Sequence, residues 1–283
     1  MKIKTPATSA NVGVGFDSFG MAFSLYNEFD VSLSDKDILE NVEDRFNNEN
    51  NLFLQSYHIG CDAIGISDYV HAIFHTNIPV SRGLGSSASL ITAGLQAASS
   101  LHNNALSQKQ IFELASSIEG HPDNVAPCIY GGMTISLKKD NEFITEKITL
   151  DKSWKYTIFV PNFEVSTEKA RSILPDTYSR EVVSKNIAYA SYMIRALETG
   201  SLDLLQYGEC DLIHEPYRKT LLPFFDSLKS KYKEETDGIL IISGSGSTCL
   251  GISKKEVQKE NYKDLDVHTV SICETGAEVI SEE

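Results

Sequence analysis

The sequence predicts an α+β protein of two lobes. Strand-like and helix-like segments intermix up to about residue 160, the order then changes to helices followed by strands, and no repeat, low-complexity tract or linker separates the two halves.

Residues 27–34 (NEFDVSLS) carry apolar side chains at every second position, and 69–76 (YVHAIFHT) repeat the pattern, so both read as half-buried strands. Between them 51–64 read as a helix following an Asn-rich loop. Residues 86–101 form a second helix, rich in Ala and Ser, with Leu90, Ala93, Gly94, Ala97 and Leu101 on one face. Ser107 and Gln110 make an S-x-x-Q capping box that starts a third helix, 107–119, whose buried side is Ile111, Leu114, Ala115 and Ile118. Gly131-Gly132 open a strand running to Leu137, and strands follow at 143–150 and 155–160. Beyond these come helices at 180–198 and 217–232 and strands at 238–243, 248–253 and 267–272. The domains are therefore expected at 1–155 and 156–283, with a cleft along their interface.

Hydrophobic residues make up 41% of the chain and charged ones 23%, which suits a globular protein folded nearly throughout. The net charge of −14 argues against nucleic acid or an anionic membrane as a partner, because phosphate-tracking surfaces are basic. A small polyanion can still bind where backbone N–H groups, a metal ion and a few arginines converge. Five scattered cysteines without a C-x-x-C pair, and no leader-like or membrane-length apolar run, lead to the expectation of a cytoplasmic protein with reduced thiols.

The strongest feature is Pro79-Val80-Ser81-Arg82-Gly83-Leu84-Gly85-Ser86-Ser87-Ala88-Ser89, set between a strand and a small-residue helix. Glycines permit sharp turns there, and N–H groups at a helix start can converge on phosphate oxygens. The lysine of a Walker A loop is absent. Gly83, Gly85 and Ala88 do fit the loose dinucleotide pattern G-x-G-x-x-A. That reading also needs an acidic residue about 20 positions on and a returning parallel strand, and the sequence supplies neither. A plain glycine turn before a packed helix is the other alternative; the paired Ser86 and Ser87 hydroxyls, able to help ligate Mg²⁺, weigh against it.

Three segments together resemble the GHMP kinases: Pro6-Ala7-Thr8-Ser9-Ala10-Asn11-Val12-Gly13-Val14-Gly15-Phe16-Asp17, the Gly83-Leu84-Gly85-Ser86-Ser87-Ala88 loop, and Ser243-Gly244-Ser245-Gly246-Ser247-Thr248. The first, with His121-Pro122-Asp123-Asn124, Ser166-Thr167-Glu168-Lys169-Ala170-Arg171 and His214-Glu215-Pro216-Tyr217-Arg218, is similar to the homoserine kinase branch. Ser247 departs from the pattern by standing where proline is common.

The resemblance implies an N-terminal lobe like domain 2 of ribosomal protein S5, a ferredoxin-like C-terminal lobe, and transfer of the ATP γ-phosphate to the L-homoserine hydroxyl, a step of threonine biosynthesis. It implies that ATP lies on the loop from Pro79 through Ser89, that Ser87 and Glu113 hold Mg²⁺, and that the enzyme is a homodimer. Asn11 and Asp17 would take the substrate ammonium, Arg171 and Arg218 its carboxylate, and His121, Thr167 and Gly244 would line the same site. Asp123 and Asn124 would serve the chemistry, Asp123 as a helper in direct in-line transfer. Independently of any family, an amino-acid zwitterion asks for one carboxylate and one or two guanidinium groups. A lone surface glutamate is usually just solvated and a lone arginine usually ion-paired. Asn51 is placed at the adenine pocket by the family's layout and equally well read as a helix cap. Two further readings stay open: another alcohol as acceptor, and a catalytically silent sensor of ATP or homoserine.

Overall fold

The computed structural model describes residues 1–280. A first sheet holds β1 (Lys2–Ala10), β2 (Phe19–Ser34), β3 (Ile38–Glu40), β4 (Tyr69–His75), β5 (Met133–Lys139) and β6 (Glu142–Ile148). The long β2 is its spine: Glu28 to Ser34 pair with β4 while Phe19 to Met21 pair with β5, and β1 runs antiparallel along the other edge. A second sheet holds β7 (Lys155–Val160), β8 (Ile239–Ile242), β9 (Cys249–Ser253) and β10 (Asp266–Val270), in the order β10-β7-β9-β8. Numbered within the lobe this is 4-1-3-2, the ferredoxin-like order, although only a short 3-10 turn at Lys259–Asn261 occupies the β9–β10 connection.

The last strand, β11 (Glu278–Ile280), crosses back to pair with β1. The chain after residue 155 therefore contributes to both sheets; the last three residues of the expected second domain lie outside the described residues.

Helices α1 (Leu52–Ala63), α2 (Ser86–Leu101), α3 (Gln108–Glu119) and α4 (Val125–Tyr130) cover the first sheet, while α5 (Thr167–Ser172), α6 (Arg180–Thr199), α7 (Leu202–Leu205), α8 (Glu215–Arg218) and α9 (Phe225–Thr236) belong to the second lobe. The α3 capping box forms as the sequence predicts, with Ser107 accepting from the Gln110 N–H and Gln110 from the Ser107 N–H. The continuous helix expected at 217–232 is instead broken into α8, a 3-10 turn at Lys219–Leu221 and α9. Pro223 has no N–H to donate and disfavours a helical conformation in the residue before it, so an apolar pattern there cannot continue one helix.

One apolar core joins the lobes, packing Val12, Phe19 and Phe23 of the first against Tyr156, Ile158, Ile241 and Leu250 of the second. Burial on that scale holds the cleft walls in one register.

Candidate active site

The three motifs that are far apart in sequence are sewn together by backbone hydrogen bonds. Thr8 N–H donates to the Leu84 carbonyl at 3.0 Å, Thr248 N–H to Arg82 at 3.0 Å, and Gly244 N–H to Ala10 at 3.1 Å. Ser243 Oγ donates to the Gly83 carbonyl at 2.6 Å and lies 2.8 Å from Ser9 Oγ. Beside this junction opens a cavity of about 370 Å³, lined from both lobes.

One end is made by the glycine loop. Gly85 caps α2 from the left-handed region (φ 66°), and a Cβ there would fall 1.9 Å from Thr8 Oγ1; a Cβ on Gly83 (φ 76°) would fall 2.2 Å from the Ser243 carbonyl. Only glycine fits at either place. The first-turn amides of α2 have no intrahelical acceptor, so their partial positive charge is available to an anion.

Of the loop residues expected to hold nucleotide, Val80, Ser81, Arg82, Gly83, Gly85, Ser86 and Ser87 line the cavity. Pro79, Leu84, Ala88 and Ser89 do not. Leu84 and Ala88 are core residues, and the buried Ser89 hydroxyl is taken by Thr5 at 2.7 Å and Asn27 at 3.0 Å, because α2 turns that face into the sheet. Asn51 is the α1 cap, its Oδ1 accepting from Phe53 and Leu54 N–H, and the residue also lines the cavity beside Phe46 and Asn50.

Glu113 is the clearest correction. It pairs with Lys109 at 3.6 Å and does not line the cavity. The carboxylate that meets Ser87 belongs to Glu119, which accepts from Ser87 Oγ at 2.7 Å. Six residues of helix correspond to about 240° of rotation, so the two glutamates face different directions. Burial pushes the Glu119 carboxyl upward, against the Ser87 hydrogen bond and the nearby His121, which favour its ionised form. The available signal in the sequence was adjacency: Glu119 lies two residues before the His121-Pro122-Asp123-Asn124 motif.

Beyond the Gly244 turn that packs on this loop, Arg218 is 2% exposed. It donates through Nη1 to the Gly244 carbonyl at 2.8 Å and through Nε to Ala170 at 3.2 Å, and among the described residues it has no ion-pair partner. Burial, together with the like charge of Arg171, pulls its pKa down to about 10. Arg171 is held differently, by a two-point contact to Asp17 at 2.6 and 3.1 Å. Asp17, whose side chain is as exposed as that of Arg171, is beside the cavity and not among the residues that line it, unlike Asn11, Thr167, Arg171, Arg218 and Gly244.

His121, Asp123 and Asn124 complete the wall. His121 Nδ1 bonds the buried Asp123 Oδ1 at 2.9 Å; burial alone would lower the imidazole pKa, but Asp123 outweighs it and the net shift is upward. Thr8 Oγ1, a contact not anticipated from sequence, donates to Asn124 Oδ1 at 2.8 Å and leaves the amide nitrogen of Asn124 to act as a donor.

This arrangement has counterparts. The model of the GHMP kinases N terminal domain matches residues 51–132. The homoserine kinase of Clostridium acetobutylicum is 41% identical over 274 residues, covering 93% of this chain and 90% of that protein; one from Clostridium botulinum strain Okra is 37% identical, covering 97% and 92%. The chain belongs to the homoserine kinase family. A crystal structure of a homoserine kinase from Cytophaga hutchinsonii superposes with a TM-score of 0.87 at 27% identity, covering 99% of this chain and 97% of the other. The mevalonate kinase of Methanococcus jannaschii, at 18% identity and a TM-score of 0.73, shares the fold. As in other members of the homoserine kinase family, the GHMP fold here is two-lobed and mixed α/β.

Proposed function

We propose that this protein is a homoserine kinase that moves the γ-phosphate of ATP onto the side-chain hydroxyl of L-homoserine, giving O-phospho-L-homoserine and ADP in threonine biosynthesis. The observation that carries this reading is Arg218, a buried guanidinium with no ion-pair partner among the described residues, in the same cavity as an anion-binding glycine loop. A desolvated cation is costly unless an anion reaches it, and the α-carboxylate of an amino acid is the right size and charge.

In this reading Arg218 takes the carboxylate and Asp17, steadied by Arg171, takes the ammonium through its remaining lone pairs. Asn11 is held against the Gly244 carbonyl at 3.0 Å and accepts the Asp17 N–H at 3.1 Å, which sets the loop carrying Asp17. The ATP phosphates lie against Gly83, Gly85 and the α2 N-terminus, with the base towards Asn51. Asn124 donates to the transferring phosphoryl group. Asp123 orients the acceptor hydroxyl by accepting from it, and in-line transfer then depends on alignment and charge stabilisation more than on a base.

Mg²⁺ would be held by Ser87 and Glu119. Among the described residues no cluster of three or more His, Cys, Asp or Glu could hold a metal. One carboxylate and one hydroxyl beside a phosphate cradle nevertheless fit an ion that is usually completed by substrate phosphates and water. When bound it would neutralise charge on the phosphate oxygens.

No helix among the described residues is long and apolar enough to cross a membrane. A cytoplasmic location and a homodimer go with this reading; the exposed Val183 and Ile187 of α6 offer an apolar stripe that a second copy would cover.

The test is ADP release from Mg-ATP with L-homoserine, D-homoserine, L-serine, mevalonate or no acceptor. Turnover with L-homoserine alone is expected. Equal turnover with mevalonate would overturn the acceptor pocket, and ATP binding without any turnover would indicate a sensor.

A further inference from the structure

The segment His214-Glu215-Pro216-Tyr217-Arg218 supplies Arg218 to the site, yet its histidine lines no part of the cavity and is completely buried. Its Nε2 lies 2.7 Å from the Gly13 carbonyl, which can only accept, so Nε2 carries the proton. Nδ1 has no hydrogen-bond partner among the described residues. Asp211 Oδ2, 3.7 Å from Nε2, accepts the N–H groups of Ile213, His214 and Glu215. A buried ring with one hydrogen bond to a distant loop, in the turn that carries Arg218, calls for an explanation.

We propose that His214 is a positioning residue for the acceptor site, fastening the loop of residues 11–17 to α8 and backing Phe16 as the plate against which Arg171 and Arg218 are set. The proposal rests on the reading of Arg218 as the carboxylate ligand.

Four contacts support it. The His214 carbonyl accepts the Arg218 N–H at 2.9 Å, so the backbone of the residue fixes the arginine while its ring fixes Gly13. The ring stacks on Phe16 with centroids 5.4 Å apart and planes inclined by 27°. The Arg218 and Arg171 guanidinium carbons lie 5.2 and 5.6 Å from the Phe16 ring centre. Two like charges must be held together here, and an aromatic face offsets part of their repulsion.

The loop also needs an anchor. Asn11 (φ 68°), Val12 (φ 40°) and Asp17 (φ 54°) all sit in the left-handed region, which is costly for a β-branched residue such as Val12. Such a conformation persists only where its surroundings hold it, and the second lobe does so at the Gly13 carbonyl through His214, at the Val14 carbonyl through Asn186 at 3.1 Å, and at Asn11 through the Gly244 carbonyl at 3.0 Å.

The experiment compares His214→Phe, which keeps an aromatic ring but loses the donor, with Phe16→Leu, which loses the plate, and with Arg218→Ala. For His214→Phe the KM for L-homoserine should rise about ten-fold while the KM for ATP stays within about two-fold, as expected for one buried acceptor left unpaired. Phe16→Leu should shift the same constant in the same direction and decides the matter if the histidine variant does not fold. A purely structural role would lower the yield of folded enzyme without altering the ratio of the two KM values, and that result, or an equal rise in both, overturns the proposal. An unchanged homoserine KM in Arg218→Ala removes the carboxylate reading and the proposal with it. A raised KM there with unchanged values in His214→Phe and Phe16→Leu overturns the positioning role alone.

Discussion

The glycine-loop end of the cavity and the acceptor end handle charge by different means. At the loop, Gly83 and Gly85 bring main-chain N–H groups and a helix start to one place, so a contiguous stretch presents positive potential through the backbone. At the acceptor end, Asp17, Asp123, Arg171 and Arg218 come from separate segments of both lobes and meet as formal charges. The first design tolerates exchange of most side chains and no added Cβ at its two glycines. The second depends on its charges meeting opposite ones, because a buried charge left alone is expensive.

Arg218→Ala should be the hardest blow to the charged end, costing about 2–5 kcal/mol of homoserine binding through loss of a desolvated contact. Isothermal titration with each ligand checks this, and equal losses for homoserine and ATP would erase the distinction between the two ends.

Glu119→Ala should lower kcat by about 100-fold, the lower range of effects on phosphoryl charge stabilisation, and raise the Mg²⁺ concentration needed for half activity. Glu113→Ala should leave both nearly unchanged. Magnesium titrations of the two variants decide between them, and the reverse pattern would return the metal to Glu113.

Gly85→Ala should act through the backbone alone. Its Cβ would strike Thr8 Oγ1, so ATP affinity should fall by roughly ten-fold with a stability loss of about 1–3 kcal/mol, read from nucleotide titration and thermal melts.

Outside the cavity, Glu215 is buried beside Lys229 at 2.8 Å and should act on stability and not on ligand binding. Burial pushes its carboxyl up to about 7, above the unfolded value, despite the opposing pull of Lys229. Between pH 4.5 and about 7 the folded chain keeps a proton that the unfolded chain releases, so this group's contribution to stability falls as pH rises through that window. Glu215→Gln should flatten the decline, by up to about 3 kcal/mol across it. Denaturant midpoints at both ends of the window would show this, and parallel curves would mean that Lys229 already compensates the charge.

Legibility in the sequence followed the same division. The glycine loop, the α2 span from Ser86 to Leu101 and the α3 capping box were readable because their determinants are local: turn residues, helical periodicity and a reciprocal cap. Asn11, His121, Asp123, Asn124, Thr167, Arg171, Arg218 and Gly244 were expected at one site through family motifs, and all of them line the cavity. Glu113 was misplaced because a helix offers several outward carboxylates, and only the packing of α3 shows that its last residue meets Ser87. Ser89 was misassigned for a related reason: a motif states which residues recur, not which of them the helix turns inward.

The sequence by itself determined the α+β class, the two-lobed order, the anion loop and the kind of acceptor end that two motif arginines and an aspartate imply, since these depend on neighbours along the chain. Tertiary structure alone decided that β11 returns to the first sheet, that Glu119 rather than Glu113 meets the loop, that Asp17 pairs with Arg171, and that His214 joins the lobes. Each of those contacts joins residues separated by between 32 and 278 positions, over which local propensity carries no information and only the shared core sets the register.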